Sequence, residues 1–453
     1  MLEVAAPSPC ADDLVRRARG PLCSVVLVLL ALAPVGTAAA GTNAKPSVPP
    51  GYTITKLSGA PKGVTNCDDL ARLDGHLFMG CQNAAMSAGG GHNSTLLEYA
   101  DDGALLNRWS IPDKIDGVGA DALTHRVILT LNEDAHSHLA TIAPSAPIGQ
   151  QVANYNYSPG APGSAATTGA LHTGGGTDSV SVDSAGRIYI TGSHAQGRTG
   201  TAVFRVALTP PAGAGAAGAA TLSPTWLDNA TATNGAAGGG AVKLSLGDVD
   251  SGAIVPYSSP KYGGSHVIDD QTTQQLVFAS DINAPGGGTL TALKTQFGLD
   301  DIRWATSDGG TLYIVDKGAP AAAGLSSLWK VTGPFVAGTA LAANDGLGNQ
   351  VVKVNLTSGA LTPVVRNLVT TKGLVYVDAN GTEAALPTAS NVTAISPAAA
   401  PASPPKSSGG TPASSGDSDL LPLVLAIVAL LLGLLAAGAA LIRRGAHAAS
   451  TQR

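Results

Sequence analysis

Short runs in which apolar and polar residues alternate recur along this chain, and the clearest covers residues 178–190, DSVSVDSAGRIYI. Val180 and Val182 flank a polar residue, a turn-forming segment follows at residues 183–186, and a second β-rich run covers residues 188–190. Alternation with a period of two beside a short turn is typical of two antiparallel strands. The stretch therefore predicts a β-hairpin.

The same pattern returns, with changes, at other places in the chain. Copies begin at Asp68 (DDLARLDGHLFMG), Asp116 (DGVGADALTHRVILT) and Asp301 (DIRWATSDGGTLYI), a weaker copy begins at His266, and a fragment, KGLVYVD, covers residues 372–378. Repeats at this spacing predict an array of small sheets, each of which buries its faces against its neighbours.

The repeats supply about four short strands each, which is typical of a β-propeller blade. Residues 41–390, at roughly 45 to 60 residues a blade, predict an all-β fold with a six- or seven-bladed β-propeller. A strand predicted at residues 52–57 has no hairpin partner nearby, so we expect it to pair into the last blade and close the ring. The Ala- and Gly-rich residues 210–240 predict a low-complexity surface insertion.

The repeated hairpin pattern resembles that of the NHL-type and gluconolactonase-type β-propellers, and the resemblance covers most of residues 41–390. It implies a fold rather than an activity, since no diagnostic active-site motif accompanies it. Gluconolactonase-like propellers hold a divalent cation at the central channel with carboxylate and amide oxygens. The resemblance therefore implies Ca²⁺, which prefers such ligands, as the cofactor to consider.

Two apolar segments near the ends of the chain predict its membrane topology. Residues 1–40 combine arginines, an apolar run and a small-residue end, the pattern of a secretory signal peptide, and the run is shorter than the ~20 residues that a membrane anchor needs. Residues 420–442 are uncharged and long enough to form one transmembrane helix, and arginines at the start of residues 443–453 predict a cytoplasmic tail. Residues 391–419, rich in Pro, Ala, Ser and Gly, predict a stalk. We expect a single-pass cell-membrane protein with an extracellular propeller.

The charge of the chain argues against nucleic-acid binding, and its cysteines indicate an oxidising compartment. The formal net charge is −5, with 26 Lys and Arg against 31 Asp and Glu, so the chain offers no basic surface for nucleic acid. Cys67 and Cys81 flank a Leu-Asp-Gly turn that would place them opposite each other, which predicts an extracellular disulfide; two buried thiols are the alternative.

The repeats also indicate where a site would lie. In an antiparallel blade the chain enters every inner strand on the same face, so residues at that position meet at one mouth of the channel. The candidates for binding are Asp68, Asp116, Asp178, His266 and Asp301, and among them Asp116, Asp178 and Asp301 are the candidate metal ligands. The alternative is that these aspartates only cap the turn into the strand, as Asp does at many loop ends.

Two functions remain open at this point. The first is a cell-surface, membrane-anchored binding or interaction module whose partner is an extracellular protein, a glycan or a small molecule. The second is a metal-dependent, lactonase-like hydrolase at the central channel, with one carboxylate as ligand and another as base. Four oxygen ligands converging on one point would favour the hydrolase, and a dispersed acidic ring would favour binding.

Overall fold

The computed structural model describes residues 45–86, 91–133, 136–157, 176–193, 200–213, 215–236, 238–318, 326–344 and 349–381. Within these ranges no helix has the length and apolar character that a membrane span requires. The predicted signal peptide, stalk, transmembrane helix and cytoplasmic tail all lie outside the described residues.

The described residues form an all-β structure with a single turn of 3₁₀ helix at Pro285–Gly287. The first thirteen strands are β1 (Thr53–Gly59), β2 (Cys67–Leu73), β3 (His76–Cys81), β4 (Ser94–Ala100), β5 (Leu105–Ile111), β6 (Ile115–Asp121), β7 (Arg126–Leu131), β8 (His138–Ile142), β9 (Val152–Tyr157), β10 (Thr177–Val182), β11 (Ile188–Gly192), β12 (Thr201–Thr209) and β13 (Gly218–Leu227). The others are β14 (Thr231–Asn234), β15 (Ala241–Lys243), β16 (Ser251–Ile254), β17 (His266–Asp270), β18 (Gln275–Ala279), β19 (Leu290–Lys294), β20 (Asp301–Trp304), β21 (Thr311–Asp316), β22 (Ser327–Thr332), β23 (Ala340–Asn344), β24 (Gln350–Val354), β25 (Leu361–Val365) and β26 (Thr371–Val377).

Four blades form in simple succession along the chain. Blade 1 is β2 to β5, blade 2 is β6 to β9, blade 3 is β10 to β13 and blade 4 is β16 to β19, each with its first strand innermost. The outer strands β9 and β13 pair in parallel, which joins blades 2 and 3 into one eight-stranded sheet. Strands β14 and β15 extend blade 4 at its outer edge. The hairpins predicted at Asp68, Asp116 and Asp178 are therefore confirmed.

The last two blades are interleaved. Blade 5 contains β20, β23, β24 and β25, whereas blade 6 contains β26, β21, β22 and β1. The hairpin predicted at Asp301 is therefore wrong, because β20 pairs with β23 and β21 pairs with β22 and β26. The N-terminal strand β1 pairs with β22, which confirms that the orphan strand closes the ring in the last blade.

The six inner strands surround a central channel. They neighbour one another in the order β2, β6, β10, β16, β20 and β26, and β26 contacts β2. Six apolar clusters fill the interfaces between adjacent blades; between blades 2 and 3, for example, Ile128 and Leu139 pack with Ile190 and Phe204. Because a blade buries both of its faces, its middle strands are almost continuously apolar, as in β7. The fold is a six-bladed propeller.

Three further predictions concern local structure. Cys67 and Cys81 lie opposite each other in β2 and β3 and form a disulfide, as predicted. Residues 210–240, predicted as a low-complexity surface insertion, include β13, which pairs with β12 along most of its length, and β14. The weak repeat at His266 starts one strand later than assumed, because β16 is the inner strand of blade 4 and His266 begins the second strand.

Candidate functional site

A small polar cavity lies in the channel where the chain enters the inner strands, and we call it the acidic centre. Its volume is about 70 Å³, which leaves room for a few water molecules. The lining residues are Asp68, Asp69, Gln82, Lys114, Asp116, Glu133, Asp178, Ser179, Val180, Asp250, Ser251, Asp300, Asp301, Arg303 and Gly373.

Carboxyl groups outnumber cations in the acidic centre. Five of the six inner strands have an aspartate at or beside their first residue, while β26 has Lys372 and Gly373 in the corresponding place. Eight carboxyl groups line the cavity, and four cationic side chains contact them: Lys114, Arg303, Lys317 and Lys372. Burial penalises each uncompensated charge, so part of the excess is carried as bound protons.

Lys114 holds the side of the acidic centre formed by blades 2 and 3. Its Nζ lies 2.5 Å from Asp116 Oδ1 and 3.6 Å from Glu133 Oε2, and Asp178 is close enough to stabilise the same charge. Burial alone would lower the pKa of Lys114, but these carboxylates more than reverse that effect. One ammonium cannot offset the burial and mutual repulsion of three carboxyls, so the pKa of Asp116 is still raised to about 7.

Asp68 and two lysines hold the opposite side. Lys317 Nζ donates to Asp68 Oδ2 at 3.1 Å, and Lys372 Nζ contacts both Asp68 and Asp300. Burial would raise the pKa of Asp68, but the charges of Lys372 and Lys317 outweigh it and hold that pKa below its ordinary value. Asp68 is therefore ionised at neutral pH.

Asp178 and Asp250 form a carboxyl pair between blades 3 and 4. Both carboxyls line the same cavity, and they lie close enough together for each to affect the pKa of the other. Burial raises the pKa of Asp178 well above its ordinary range, and the charges of Glu133 and Asp116 raise it further. Burial likewise raises the pKa of Asp250, with Asp300 and Asp178 adding to the shift. Gln271 Nε2 donates to Asp250 Oδ2 and fixes that carboxyl in place.

Asp69 and Asp301 connect neighbouring inner strands. Asp301 Oδ1 accepts the backbone N–H of Ile302 at 2.7 Å and Oδ2 accepts that of Leu374, on β26, at 2.6 Å. Asp69 makes the same pair of bonds, to the N–H of Leu70 and to that of Val118 on β6. At these two positions the aspartate does what the capping alternative describes, and it also joins one blade to the next.

The structure brings together four of the five residues predicted for the site. Asp68, Asp116, Asp178 and Asp301 all line the acidic centre. His266 does not: it is buried in β17, where its Nε2 lies 2.8 Å from Ser181 Oγ. Burial lowers its pKa to about 3, so this imidazole is neutral.

Asp250 takes the place that was assigned to His266. It directly precedes β16 in a DVDSGAIV segment, an aspartate followed by a short apolar run, which is the signal that identifies it. The lysines of the acidic centre are also absent from the sequence prediction. Lys114 stands two residues before Asp116 and could have been found from that spacing, whereas Lys317 reaches Asp68 across 249 positions of the chain.

The acidic centre does not fit a divalent cation as its side chains are arranged. Among the described residues no three His, Cys, Asp or Glu side chains are grouped closely enough to hold a metal. Of the candidate ligands, Asp116 contacts the Lys114 ammonium and Asp178 lies close enough to act on its charge. Asp301 accepts from Arg303 and from backbone N–H groups. Side-chain cations take the positions in which a metal would meet these oxygens.

No protein-family model matches this chain. The search of curated proteins also finds no match. Among solved structures, one provisionally described as a gluconolactonase is 13% identical, covering 74% of this chain and 88% of its own, with a TM-score of 0.41. A protein of unknown function from Bacteroides caccae is 9% identical over 70% and 88% of the two chains, with a TM-score of 0.39.

A gluconolactonase from Xanthomonas campestris is 12% identical over 62% of this chain and 90% of its own, with a TM-score of 0.31. The resemblance to gluconolactonase-like β-propellers is one of fold. The blade count and the acidic centre follow from this chain's own strand pairing and side chains.

Proposed function

We propose that the acidic centre is the active site of a lactonase-like hydrolase that uses carboxyl groups and a lysine. The observation that carries the proposal is the pair of buried, neighbouring carboxyls of Asp178 and Asp250 in the lining of one cavity. Two carboxyls that share a proton supply an acid and a base at the same pH, because ionisation of one raises the pKa of the other. Hydrolysis of a cyclic ester needs both groups.

The reaction can be written with the proton returned to the pair. The ionised carboxyl of the pair accepts a proton from water as the water oxygen attacks the acyl carbon of the lactone. The ring C–O bond then breaks, and the protonated carboxyl donates its proton to the departing ring oxygen. The product is one hydroxy acid, which loses its proton to solvent, and the pair again holds one proton.

Lys114 supplies the positive charge that this reaction requires. Negative charge develops on the carbonyl oxygen during water attack, and a cation fixed in a water-poor site stabilises it. The pKa of Lys114 lies above its ordinary value, so the side chain is charged at neutral pH. Its neighbours Asp116 and Glu133 hold the ammonium in place from the side of blade 2.

The cell-surface interaction module stays a prediction. The lack of three grouped metal ligands among the described residues counts against the metal-dependent form of hydrolysis and leaves this module open, whereas the neighbouring carboxyls of Asp178 and Asp250 support a form of hydrolysis that needs no metal. We also propose an extracellular location for the propeller, as the apolar segments at residues 1–40 and 420–442 predict. The disulfide between Cys67 and Cys81 supports that location, because disulfides persist in oxidising compartments.

The test is hydrolysis of a panel of five- and six-membered lactones, measured as the release of acid into a weakly buffered solution. We expect Asp178→Asn and Asp250→Asn each to lower kcat by at least about a hundredfold, since general acid–base catalysis contributes about 10² to 10⁴. Asp102→Asn, at an exposed turn where Asp102 accepts the N–H of Ala104, is the matched control and should keep the wild-type rate.

Chelation separates the two hydrolytic mechanisms. Activity that survives EDTA supports the carboxyl and lysine mechanism, whereas activity lost in EDTA and restored by Ca²⁺ would replace it with the metal-dependent one. A wild-type protein that opens no lactone, or Asp178→Asn and Asp250→Asn variants that work as fast as Asp102→Asn, would end the proposal.

A further inference from the structure

A second and larger cavity occupies the other end of the channel, and we call it the apolar chamber. Its volume is about 490 Å³, within the range of sites that enclose small molecules. Every inner strand contributes to its wall, through Leu70, Val118, Val182, Ile254, Trp304 and Tyr376. The chamber shares only Val180 and Arg303 with the acidic centre, so the two cavities lie in series along the channel.

The charged side chains around the apolar chamber already have partners. Three charged residues line it: Arg72, Asp183 and Arg303. Arg72 pairs with Asp101 at 2.8 Å, Asp183 pairs with Arg187 at 2.6 Å, and Arg303 pairs with Asp301 at 2.5 Å. A charged ligand would have to break one of these pairs or lose its hydration without a partner, and both are unfavourable.

Two polar atoms of the lining side chains are unsatisfied. Trp304 Nε1 and Thr306 Oγ1 are buried and have no hydrogen-bond partner within the described part of the chain. Unsatisfied buried donors are uncommon in proteins and cost free energy. Both atoms have almost no accessible surface, so they do not determine the polarity of a ligand in the chamber.

We propose that the apolar chamber is a binding site for a neutral, mostly hydrocarbon small molecule. The driving force is the transfer of apolar surface from water into a wall of aliphatic and aromatic side chains. The site is separate from the proposed active site and does not depend on hydrolysis. Because each charged side chain among the described lining residues already has a partner, the chamber disfavours carboxylates, phosphates and amines.

The experiment is photolabelling of the full-length protein with 3-(trifluoromethyl)-3-phenyldiazirine, a small neutral aromatic probe, followed by mass-spectrometric mapping of the labelled peptides. We expect label in the lining segments 118–123 and 252–256 at least tenfold above that in the segment containing Leu105 and Leu106. Those two leucines are 44% and 43% exposed on β5 and report ordinary contact with the probe at the surface. Because the label is mapped peptide by peptide, label in other apolar segments is counted separately from label in the chamber.

Two filling variants test the location. Ala253→Phe and Ala120→Phe place a ring in the chamber from different blades, and each should remove at least nine-tenths of the label at the other strand. Leu106→Phe on the exposed edge is the matched control and should leave the chamber label unchanged. Thermal unfolding checks that each variant is folded, and the second variant still tests the location if the first does not fold.

Two results would overturn the proposal. One is wild-type labelling of the lining segments no stronger than that of the β5 segment. The other is unchanged labelling of those segments in both filling variants while they remain folded.

Discussion

Replacing Lys114 with methionine removes the ammonium from the acidic centre and keeps a chain of similar length in the same space. The Lys114 side chain is 18% exposed and the Asp116 side chain 2% exposed, so solvent can compensate little for the lost charge. Asp116, Glu133 and Asp178 would then face one another with no cation between them. We expect the variant to fold with lower stability at neutral pH.

The magnitude follows from the distances. Two unit charges about 4 Å apart attract by about 4 kcal/mol at an effective dielectric constant of about 20. Lys114 makes two such contacts, with Asp116 and Glu133, but its own desolvation offsets part of that gain. Removal of one partner from a buried pair costs about 3 to 5 kcal/mol, and protonation of Asp116 in the variant would reduce the loss. We expect the free energy of unfolding at pH 7.5 to fall by about 3 kcal/mol.

Urea unfolding at pH 7.5, with and without Ca²⁺, measures both consequences. Lys62→Met, which removes an exposed lysine, is the matched control and should change the free energy of unfolding by less than about 0.5 kcal/mol. Asp116, Glu133 and Asp178 are not grouped closely enough to hold a metal as they stand, but removal of the ammonium leaves space in which they can move together around one. Ca²⁺ should then stabilise Lys114→Met by about 2.7 kcal/mol at a hundredfold excess over Kd. Wild type, whose cation is part of the chain, should respond much less.

Two outcomes would refute this account of the acidic centre. A Lys114→Met protein as stable as Lys62→Met would mean that the ammonium does not compensate the carboxyls. A wild-type protein that Ca²⁺ stabilises as much as it does the variant would mean that Lys114 does not occupy the cation position.

Three other predictions concern stability. The pKa of Asp116 is raised to about 7, so the folded protein holds a proton that the unfolded chain releases above pH 4, and the free energy of unfolding should fall as the pH rises from 5 to 8. His266, whose pKa is lowered to about 3, opposes this trend below about pH 6.5. Asp116→Asn should make the free energy of unfolding, measured in urea, less dependent on pH. A Cβ at Gly117 would lie 2.4 Å from Asp178 O, so Gly117→Ala should lower the thermal midpoint with a cost of about 1 to 3 kcal/mol, whereas Gly213→Ala, with open space around it, should not. Replacement of Cys67 and Cys81 by alanine should cost about 3 kcal/mol in denaturant, because their bond closes a loop with a sequence separation of 14; an equally stable double variant would contradict this.

Local pattern predicted much of the fold because blades 1 to 3 are built from consecutive hairpins. The alternation around Val180 and Ile190 determines both the strands and their pairing. The pattern around Asp301 looks the same but has another outcome, since β20 and β21 belong to different blades and their partners lie tens of residues away. The periodicity of a hairpin does not indicate whether two successive strands pair with each other or with strands of different blades, because both arrangements bury the same faces of the strands.

The site was predictable as a set of positions and less so as chemistry. Asp68, Asp116 and Asp178 were identifiable because they recur at the start of repeats, and that position is where the channel lies. The lysines that compensate the negative charge of these aspartates were not identifiable, since Lys317 and Lys372 come from blade 6, far along the chain. The Asp178 and Asp250 pair depends on the packing of blade 3 against blade 4, which no single repeat encodes.

The interleaving of the last two blades sets the order in which the protein can be completed during synthesis. As the chain leaves the ribosome, the first four blades can form one after another, but the hairpin of β21 and β22 must wait for its inner neighbour β26, the last described strand. That strand also carries Lys372 and Gly373 into the acidic centre. A nascent chain released before residue 371 would therefore have an open ring and an incomplete site, so the ability to bind at the centre would appear only once translation has passed β26.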